Sequence, residues 1–490
     1  MSTGDFNLLD LKDARIRTLH FAWLAFFVTF VLWFNHASLM VHIRDSLGLS
    51  RQEVGAILML NVALTIPARI LVGMWVDRYG PRIVFTGLLV VSAFLCFAFA
   101  FAQDFETLAL TRAALGFVGA GFVIGIRLVS EWFPARQVGL AQGIYGGWGN
   151  FGSAAAAVAM PIVALQFGGD DGWRWAIATT GVIALVYAVI FYRSVRNTPK
   201  GSTYFKPSRT GGLEVTSRRD FYFYVLMSLP MYLALSVVAW KLSPANIDLL
   251  DTTTTYFVYA LLVALYSAQV YRAYTINREM LKSGVPELYR YSFKQVAILD
   301  VSYFVTFGSE LAMVSVLPLF FLETFEGLDA MQAGFFAALF PLMNLVARPA
   351  GGWISDRLSR RASLSALIGG LMIGYAILSR VDGTWPMGLA IAVLLLCSVC
   401  GQAGSGAVFG MVPLVQRRMT GQIAGMAGAY GNVGGVVFLT VLSFADYASF
   451  FLVISATAAL CFVVVRFMDE PEGHMAEIRE DGTVELIEVT

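Results

Sequence analysis

Charge, histidine and cysteine are all scarce in this chain of 490 residues. Only 14% of the residues are charged and the net charge is +1, which gives no general basic surface for nucleic acid. The four histidines are not paired at ligand spacing and the four cysteines all lie in apolar runs, so neither a metal site nor a redox site is expected. There is no nucleotide-binding loop and no Ser/His/Asp arrangement. These absences exclude an ATP-driven pump within the chain and indicate a protein that is not an enzyme.

Apolar residues dominate instead. They make up 58% of the chain, and the mean hydropathy is +0.69. Many apolar runs reach the ~20 residues that a helix needs to cross a bilayer. The short alternating segments of a β-barrel are absent, so the composition predicts an all-α polytopic membrane protein. Fourteen spans are predicted, at about residues 20–42, 52–76, 82–103, 106–129, 138–166, 173–194, 221–240, 254–275, 295–323, 331–354, 362–380, 386–410, 420–443 and 447–467.

Two signatures occur twice along the chain. The segments IPARILVGMWVDRYGPR (66–82) and LVARPAGGWISDRLSRR (345–361) place an Arg, a Gly and an Asp-Arg pair at a constant offset of 279 residues. The segments GIYGGWGNFG (143–152) and GMAGAYGNVG (425–434) share four glycines and an Asn at an offset of 282. The near-equal offsets indicate one duplication of six spans, with two further spans between the copies.

The distribution of Lys and Arg predicts the orientation of the spans. Segments 193–220 and 272–294 hold seven and five basic residues, whereas 167–172 and 241–253 hold none and one. By the positive-inside rule, the basic segments and both termini are cytoplasmic, in a multi-pass protein of the plasma (inner) membrane. The predicted organisation is an N-terminal six-helix half (1–199), cytoplasmic linkers with two additional helices (200–293), a C-terminal six-helix half (294–468) and an acidic, flexible cytoplasmic tail (469–490).

Arg69 and Arg348 lie in the middle of apolar runs, one in each half. A guanidinium keeps its proton in a protein, and at the centre of a membrane helix it costs about 2.5–3.5 kcal/mol on insertion scales. A chain that carries this cost twice, at equivalent points of two halves, is expected to bind an anion between them. The amides of Asn150 and Asn432 are also costly in lipid, so both are expected to face the interior.

Together these motifs resemble the nitrate/nitrite porter family of the major facilitator superfamily. The resemblance covers both six-span halves and implies two pseudo-symmetric six-helix bundles with the substrate near the midplane between them. It makes Arg69 and Arg348 a clamp on nitrate, a planar anion that suits the planar fork of a guanidinium. It also implies further substrate contacts at Asn150, Asn432, Gly146, Phe122, Tyr303 and Phe307. Core packing is the competing interpretation of the three aromatic residues, and helix packing that of the glycines, which recur along one expected helix face.

Glu310 is a carboxylate deep in the apolar segment FGSELAMVSVLPLFF. Two arginines and one nitrate leave one positive charge, which a carboxylate could balance. A Glu that titrates as the carrier cycles could couple proton to nitrate, and the segment resembles proton-coupled members of the family. The alternative is a static ion pair with a nearby Arg.

Other charged residues are given conformational roles. The two Asp-Arg motifs are predicted to form a cytoplasmic gate, through Asp77, Arg78, Asp356 and Arg357. Arg112 resembles the fourth-helix Arg of the superfamily and is expected to pair with an acid or to tune coupling. Arg127 and Glu131 are expected to form an ion pair near the cytoplasmic end of the same span.

The sequence therefore predicts a secondary active importer of nitrate, with nitrite as a further candidate substrate, that works by alternating access and proton symport. A nitrate/nitrite antiporter on the same fold is the alternative, and Glu310 discriminates the two. An anion channel or a nitrate sensor is the alternative from a different class. The expected partners are the anion, protons and the lipid bilayer, without a metal, a cofactor or nucleic acid.

Overall fold

A computed structural model describes residues 6–169, 171–207, 212–246, 248–283, 290–328, 330–442, 444–470, 474–478 and 484–488. Within these ranges the chain forms α1 (Ala14–Phe34), α2 (Met40–Leu47), α3 (Arg51–Ala63), α4 (Thr65–Tyr79), α5 (Pro81–Ala100), α6 (Phe105–Leu115), α7 (Gly121–Trp132), α8 (Ala135–Phe167), α9 (Gly172–Ser194), α10 (Arg218–Leu242), α11 (Thr252–Ser283), α12 (Phe293–Thr324), α13 (Ala330–Leu342), α14 (Asn344–Arg357), α15 (Arg360–Leu378), α16 (Met387–Val415), α17 (Thr420–Leu442) and α18 (Tyr447–Val465). Short 3-10 stretches lie at Ala37–Leu39, Gly116–Ala120 and Arg417–Met419, and two strands, β1 (His474–Ile478) and β2 (Val484–Glu488), end the described chain.

Fourteen stretches of the described chain are long and apolar enough to span a membrane. Each of the fourteen predicted spans coincides with one of them, so the prediction of a polytopic helical membrane protein is confirmed. Two six-helix halves, α1–α9 and α12–α18, flank the two additional helices α10 and α11.

The second span of each half is interrupted at the same point of the repeat. α3 gives way to α4 at Leu64, and α13 gives way to α14 at Met343, again 279 residues later. A proline lies beside each break: Pro67 in the first turn of α4 and Pro341 in the last turn of α13. Neither can supply the N–H that a continuous helix would use there. The sequence had predicted two uninterrupted spans, and each break falls five residues before the arginine of its half.

Side chains satisfy the backbone carbonyls that these breaks release. The carbonyl of Asn61 accepts a hydrogen bond from Trp33 Nε1 at 2.9 Å. The equivalent carbonyl of Phe340 accepts from Ser398 Oγ at 2.7 Å and from Gln402 Nε2 at 2.8 Å. An unpaired backbone group is costly at membrane depth. These bonds therefore allow non-helical backbone close to the arginines.

The two glycine-rich helices, α8 and α17, each pack on a helix of the opposite half. A Cβ atom added at Gly139 or Gly143 would meet the backbone of α14, and one added at Gly421 or Gly425 would meet the backbone of α4. Missing side chains let the helix backbones approach this closely. The α8–α14 and α4–α17 crossings are thus the two contacts that join the halves around the arginines.

The glycine stripe of each helix winds round it, and the expectation of a single glycine face is wrong. A step of three residues turns by about 300°, so the stripe drifts by about 60° at each step. Gly149 and Gly152 consequently face α1, in their own half, and Gly431 and Gly434 face α12. One stripe therefore packs against a helix from each half.

One end of the molecule, which we call the basic end, gathers the segment after α9, the loop after α4 and the chain beyond α18. The N–H of Arg82 donates to Asn197 Oδ1 at 2.9 Å, and Lys294 forms an ion pair with Asp469 at 2.8 Å. The tail beyond this point is not simply irregular as expected, because β1 and β2 pair antiparallel, with Ala476 opposite Leu486.

Candidate anion site

Arg69 and Arg348 are both buried, with 1% of each exposed, and they converge on the same two aromatic rings. Their guanidinium carbons lie 5.6 and 5.5 Å from the ring centre of Phe122, and 5.3 and 5.6 Å from that of Phe307. Phe122 belongs to the first half and Phe307 to the second. The structure thus brings together, at the interface between the halves, the two arginines that the repeat made equivalent.

Each arginine is held by residues that differ between the halves. Arg69 donates from Nη1 to the carbonyl of Gly428 at 2.5 Å and from Nε to the carbonyl of Gly119, in the 3-10 stretch, at 3.3 Å. Arg348 donates from Nη2 to Tyr303 Oη at 2.8 Å, whereas its Nη1 has no hydrogen-bond partner among the described residues. A buried N–H of a cation without a partner marks the point where an anion is best accepted.

Two glycines make room for these guanidinium groups. A Cβ atom at Gly146 would lie 3.1 Å from Arg348 Nε, and a Cβ atom at Gly428 would lie 3.0 Å from Arg69 Cδ. Each arginine therefore lies flat on the glycine-rich helix of the opposite half. This crossed arrangement follows from the α8–α14 and α4–α17 crossings described above.

The three predicted aromatic residues form a parallel set. The Phe122 and Tyr303 rings are 6.1 Å apart with 2° between their planes, and the Tyr303 and Phe307 rings are 4.9 Å apart with 4° between them. Phe409 of α16 presents its ring at nearly a right angle to both Phe122 and Tyr303, at 4.5 and 4.6 Å. Sequence reasoning missed Phe409, because AVFGMVP carries no repeated motif.

Asn150 and Asn432 lie one turn beyond Gly146 and Gly428, on the same sides of α8 and α17. Both are buried, as expected. The Nδ2 of Asn150 and the Oδ1 of Asn432 lack partners among the described residues, and Asn432 Nδ2 makes only a long contact of 3.4 Å to the carbonyl of Gly428. The amides thus have hydrogen-bonding capacity to spare beside the arginines.

Glu310 is buried one helix turn beyond Phe307 on α12. Its Oε1 accepts a hydrogen bond from Asn344 Nδ2 at 2.6 Å, and its Oε2 has no partner among the described residues. It lies within electrostatic range of Arg348 and Tyr303 without forming an ion pair within 4.0 Å. The expected alternative of a static ion pair is therefore not what the geometry shows.

The aspartates of the two Asp-Arg motifs join the halves at the basic end. Asp77 accepts from the backbone N–H groups of Gly421 and Gln422 at 2.9 and 2.8 Å. Asp356 accepts from those of Gly139 and Leu140 at 3.0 and 2.8 Å. Each carboxylate thus binds the first turns of the opposite glycine-rich helix, where the helix dipole favours negative charge. Because all four bonds cross between the halves, they hold the basic end closed.

The arginines of the same motifs are placed differently. Arg78 and Arg357 are exposed and stack on aromatic rings of their own helices, with guanidinium carbons 5.4 Å from the centre of Tyr79 and 4.7 Å from that of Trp353. The buried cations near the aspartates are Arg127, 3.5 Å from Asp77, and Arg360, 3.3 Å from Asp356. The predicted Arg127–Glu131 ion pair is present, at 2.9 Å.

The segment after α9 is part of this closure, which the sequence did not indicate. Arg127 donates to the hydroxyl of Tyr204 at 3.2 Å, to the carbonyl of Phe205 at 2.6 Å and to that of Arg417. Burial raises the pKa of Tyr204 well above its ordinary value, so its hydroxyl keeps its proton and donates to the carbonyl of Val76 at 2.5 Å. The connection between the halves therefore binds the gate of the first half.

Arg112 does not pair with an acid among the described residues. It donates from Nε and Nη2 to Asn61 Oδ1, from Nη1 to Asn35 Oδ1 at 3.4 Å and from Nη2 to the carbonyl of Trp33. Amide and carbonyl oxygens satisfy its hydrogen bonds without cancelling its charge. The expectation of an acidic partner is therefore wrong.

Changing Gly146 to alanine offers a test of the arginine geometry. The new Cβ would lie 3.1 Å from Arg348 Nε and 3.4 Å from Phe122 Cε2, so the flexible guanidinium has to shift by a few tenths of an ångström. We expect the apparent affinity for the anion to fall about 3- to 10-fold while the amount of folded protein stays the same. Gly87→Ala on α5 is the control, because its Cβ would meet nothing within 4 Å. Equal affinities in the two variants would show that the position of Arg348 does not matter.

Comparison with known proteins identifies the family. Residues 22–439 match the model of the Major Facilitator Superfamily. The chain is 44% identical over 482 residues to the nitrate/nitrite transporter NrtP of Nostoc punctiforme, an alignment that covers 97% of this chain and 96% of that protein. The chain belongs to the nitrate/nitrite porter family of the major facilitator superfamily. A nitrate/nitrite transporter NrtP of Picosynechococcus is likewise 44% identical, over 516 residues and 96% of each chain.

Membership of the nitrate/nitrite porter family confirms the resemblance read from the Arg, Asp-Arg and glycine-Asn motifs. The fold is confirmed as well. The crystal structure of the superfamily transporter FucP in an outward conformation matches with a TM-score of 0.61 and 14% identity, over 93% of this chain and 99% of that chain. The protein is thus a multi-pass membrane transporter and not an enzyme.

Proposed function

We propose that this protein transports nitrate, with nitrite as a second substrate, by alternating access and proton symport. The observation that carries the proposal is the convergence of Arg69 and Arg348 on the same pair of rings, with Arg348 Nη1 unpartnered. Neither guanidinium forms an ion pair within 4.0 Å among the described residues. Two buried positive charges without a carboxylate partner favour an anion.

The chemistry of nitrate fits this site. Nitrate is planar and trigonal, and a guanidinium fork can bind two of its oxygens at once. As the anion of a strong acid it cannot be neutralised by a proton, so fixed cations have to compensate its charge. The flat faces of Phe122, Tyr303 and Phe307 suit a thin planar ion, and Gly146 and Gly428 leave little room for a larger substrate. The relatives named nitrate/nitrite transporters support the same substrates.

Alternating access supplies the route. The four bonds of Asp77 and Asp356 close the basic end, which the Lys and Arg distribution places in the cytoplasm of a plasma (inner) membrane protein with both termini inside. Opening that end requires these bonds to break together. We assign the gate role to the two aspartates and to Arg127, and a lesser role to the exposed Arg78 and Arg357.

Glu310 supplies the coupling. Once nitrate is bound, two arginines and one anion leave one positive charge, and the half-satisfied carboxylate of Glu310 lies within range of Arg348. A proton bound to Glu310 in one state and released in the other links the proton gradient to nitrate movement. An antiporter would not need this acid, since nitrite would replace nitrate between the same arginines.

Uptake by the purified protein in liposomes tests the function. We expect nitrate to accumulate inside the vesicles when the external medium is made acidic, and accumulation to stop when a protonophore removes the pH gradient. The control is a vesicle preparation without protein. Accumulation only in vesicles preloaded with nitrite would show an antiporter instead, and nitrate flux that never exceeds the value set by the membrane potential would show a channel.

A further inference from the structure

Asp300 is a second carboxylic acid buried on α12, and the transport cycle proposed above does not use it. None of its side chain is exposed, and neither carboxylate oxygen has a hydrogen-bond partner among the described residues. No described Lys, Arg or His lies within 4.0 Å of it. Glu310, by comparison, keeps a hydrogen bond from Asn344 and lies within range of Arg348.

The additional helix α10 builds the surroundings of Asp300. Phe293 lies seven residues before Asp300, about 20° short of two full turns, and so shares its face of α12. The ring of Phe293 packs on those of Phe223 and Tyr224 of α10, at 5.6 and 5.5 Å. This face of α12 is therefore covered by α10.

The helix α17 completes the enclosure. Tyr430 of α17 lies within electrostatic range of Asp300. Its hydroxyl donates to the carbonyl of Met227 on α10 at 2.6 Å, so its proton is directed away from the carboxyl group. Asp300 thus occupies the junction of α10, α12 and α17.

The other groups that face this junction bring no positive charge. On α10 the titratable residue is Tyr224, and on α18 it is Cys461, whose Sγ lies 3.7 Å from Ser302 Oγ. α16 runs antiparallel to α12, with Ser405 donating to Thr306 at 3.1 Å, which puts residues 409–413 at the level of Asp300. None of those five residues is titratable. An ionised carboxylate has no charge partner at this depth, so the acid holds a proton in the state described.

A polar path leads from the basic end toward the junction. A cavity between α4, α10, α11 and α17 has four polar side chains in its wall, those of Tyr224, Ser228, Gln269 and Gln422. Gln269 donates to Ser228 Oγ at 3.2 Å, and Gln422 lies two turns before Tyr430 on α17. Hydroxyl and amide groups of this kind can pass a proton along hydrogen bonds.

We propose that Asp300 is a second proton-binding site of this carrier, formed where α10 docks on α12 and α17. The proposal rests on the proposed proton symport. Tyr303 and Phe307 lie between Asp300 and Glu310 on one helix, so a movement of α12 that repacks the anion site also moves Asp300. When the basic end opens, the carboxyl O–H bond breaks, the proton passes to water at that end, and Asp300 remains as a carboxylate.

The first measurement is the number of protons carried with each nitrate, in liposomes that contain the full-length protein. We expect Asp300→Asn, which mimics the protonated acid, to carry one proton fewer per nitrate and to keep its nitrate affinity. Asp300→Glu restores an acid and should restore the wild-type ratio. Thr306→Val is the matched control, because it removes a buried hydroxyl of the same helix without removing an acid. An unchanged ratio in Asp300→Asn would overturn the proposal.

A second measurement separates this proposal from the symport on which it rests. Infrared difference spectra on nitrate addition should show a protonated-carboxyl band that changes in the wild type and in Glu310→Gln and is absent from Asp300→Asn. A band that is identical in Asp300→Asn and the wild type would overturn the assignment to Asp300, whatever the transport assay shows. Absence of any proton flux with nitrate in the wild type would instead overturn the proposed symport.

Discussion

Replacing Arg348 by lysine should lower the apparent affinity for nitrate by about 10- to 100-fold, because charge-assisted hydrogen bonds are worth about 1.5–3 kcal/mol each. Lysine keeps the positive charge but loses the planar fork. It also loses the Nη2 bond to Tyr303 and the unpartnered Nη1 that faces the anion. The measurement is the nitrate concentration at half-maximal uptake under a fixed pH gradient, with protein amount checked in the same vesicles.

Arg357→Lys is the matched control for this variant, because Arg357 lies on the same helix and is exposed beside Trp353. It should leave the nitrate affinity unchanged. Arg69→Lys should behave like Arg348→Lys, since the two guanidinium groups share the rings of Phe122 and Phe307. Wild-type affinity in both central variants would show that planarity is not what binds the substrate.

Replacing Glu310 by glutamine should abolish the accumulation of nitrate that a pH gradient drives and leave exchange of nitrate for nitrate intact. Glutamine has nearly the same shape, and its Oε1 can still accept the bond from Asn344 Nδ2. It cannot bind and release a proton, however, so the link between the two gradients is lost. Gradient-driven uptake and counterflow of labelled nitrate, measured on one preparation, separate the two activities.

Glu323→Gln controls for the loss of an acid from the same helix, because Glu323 is exposed and accepts only from Tyr447, at 2.8 Å. Its gradient-driven uptake should equal that of the wild type. Persistence of gradient-driven uptake in Glu310→Gln would end the coupling role proposed for this residue. Loss of exchange as well would show that Glu310 supports the site itself.

The arginines could be found from the sequence because the duplication marks them. Arg69 and Arg348 share an offset with a glycine and an Asp-Arg pair, and a conserved spacing of that kind indicates a shared role without any structure. What the offsets could not indicate is which helices meet. The glycines at three-residue intervals fitted a single face, whereas their 60° drift turns Gly152 away from α14 and toward α1.

Residues outside the repeat were missed for a physical reason. Tyr204 lies in the connection between the halves, and it gains its role only because burial places its hydroxyl between Arg127 and the carbonyl of Val76. Phe409 contributes a ring edge in a segment that reads as ordinary apolar helix. Asp300 stands near the start of a span, where an acid usually reaches water, and only the packing of α10 on Phe293 removes it from solvent.

The crossed placement of the arginines bears on the descent of this protein. Arg348 of the second copy lies on the glycine helix of the first, and Arg69 of the first lies on that of the second. A single six-helix ancestor could have owned such a site only by associating with another copy of itself. Fusion then freed the copies to diverge. α1 contains no acidic residue, whereas its counterpart α12 carries both Asp300 and Glu310. In these terms the modern chain divides its labour: both copies hold the anion, and one copy alone has acquired the acids that handle protons.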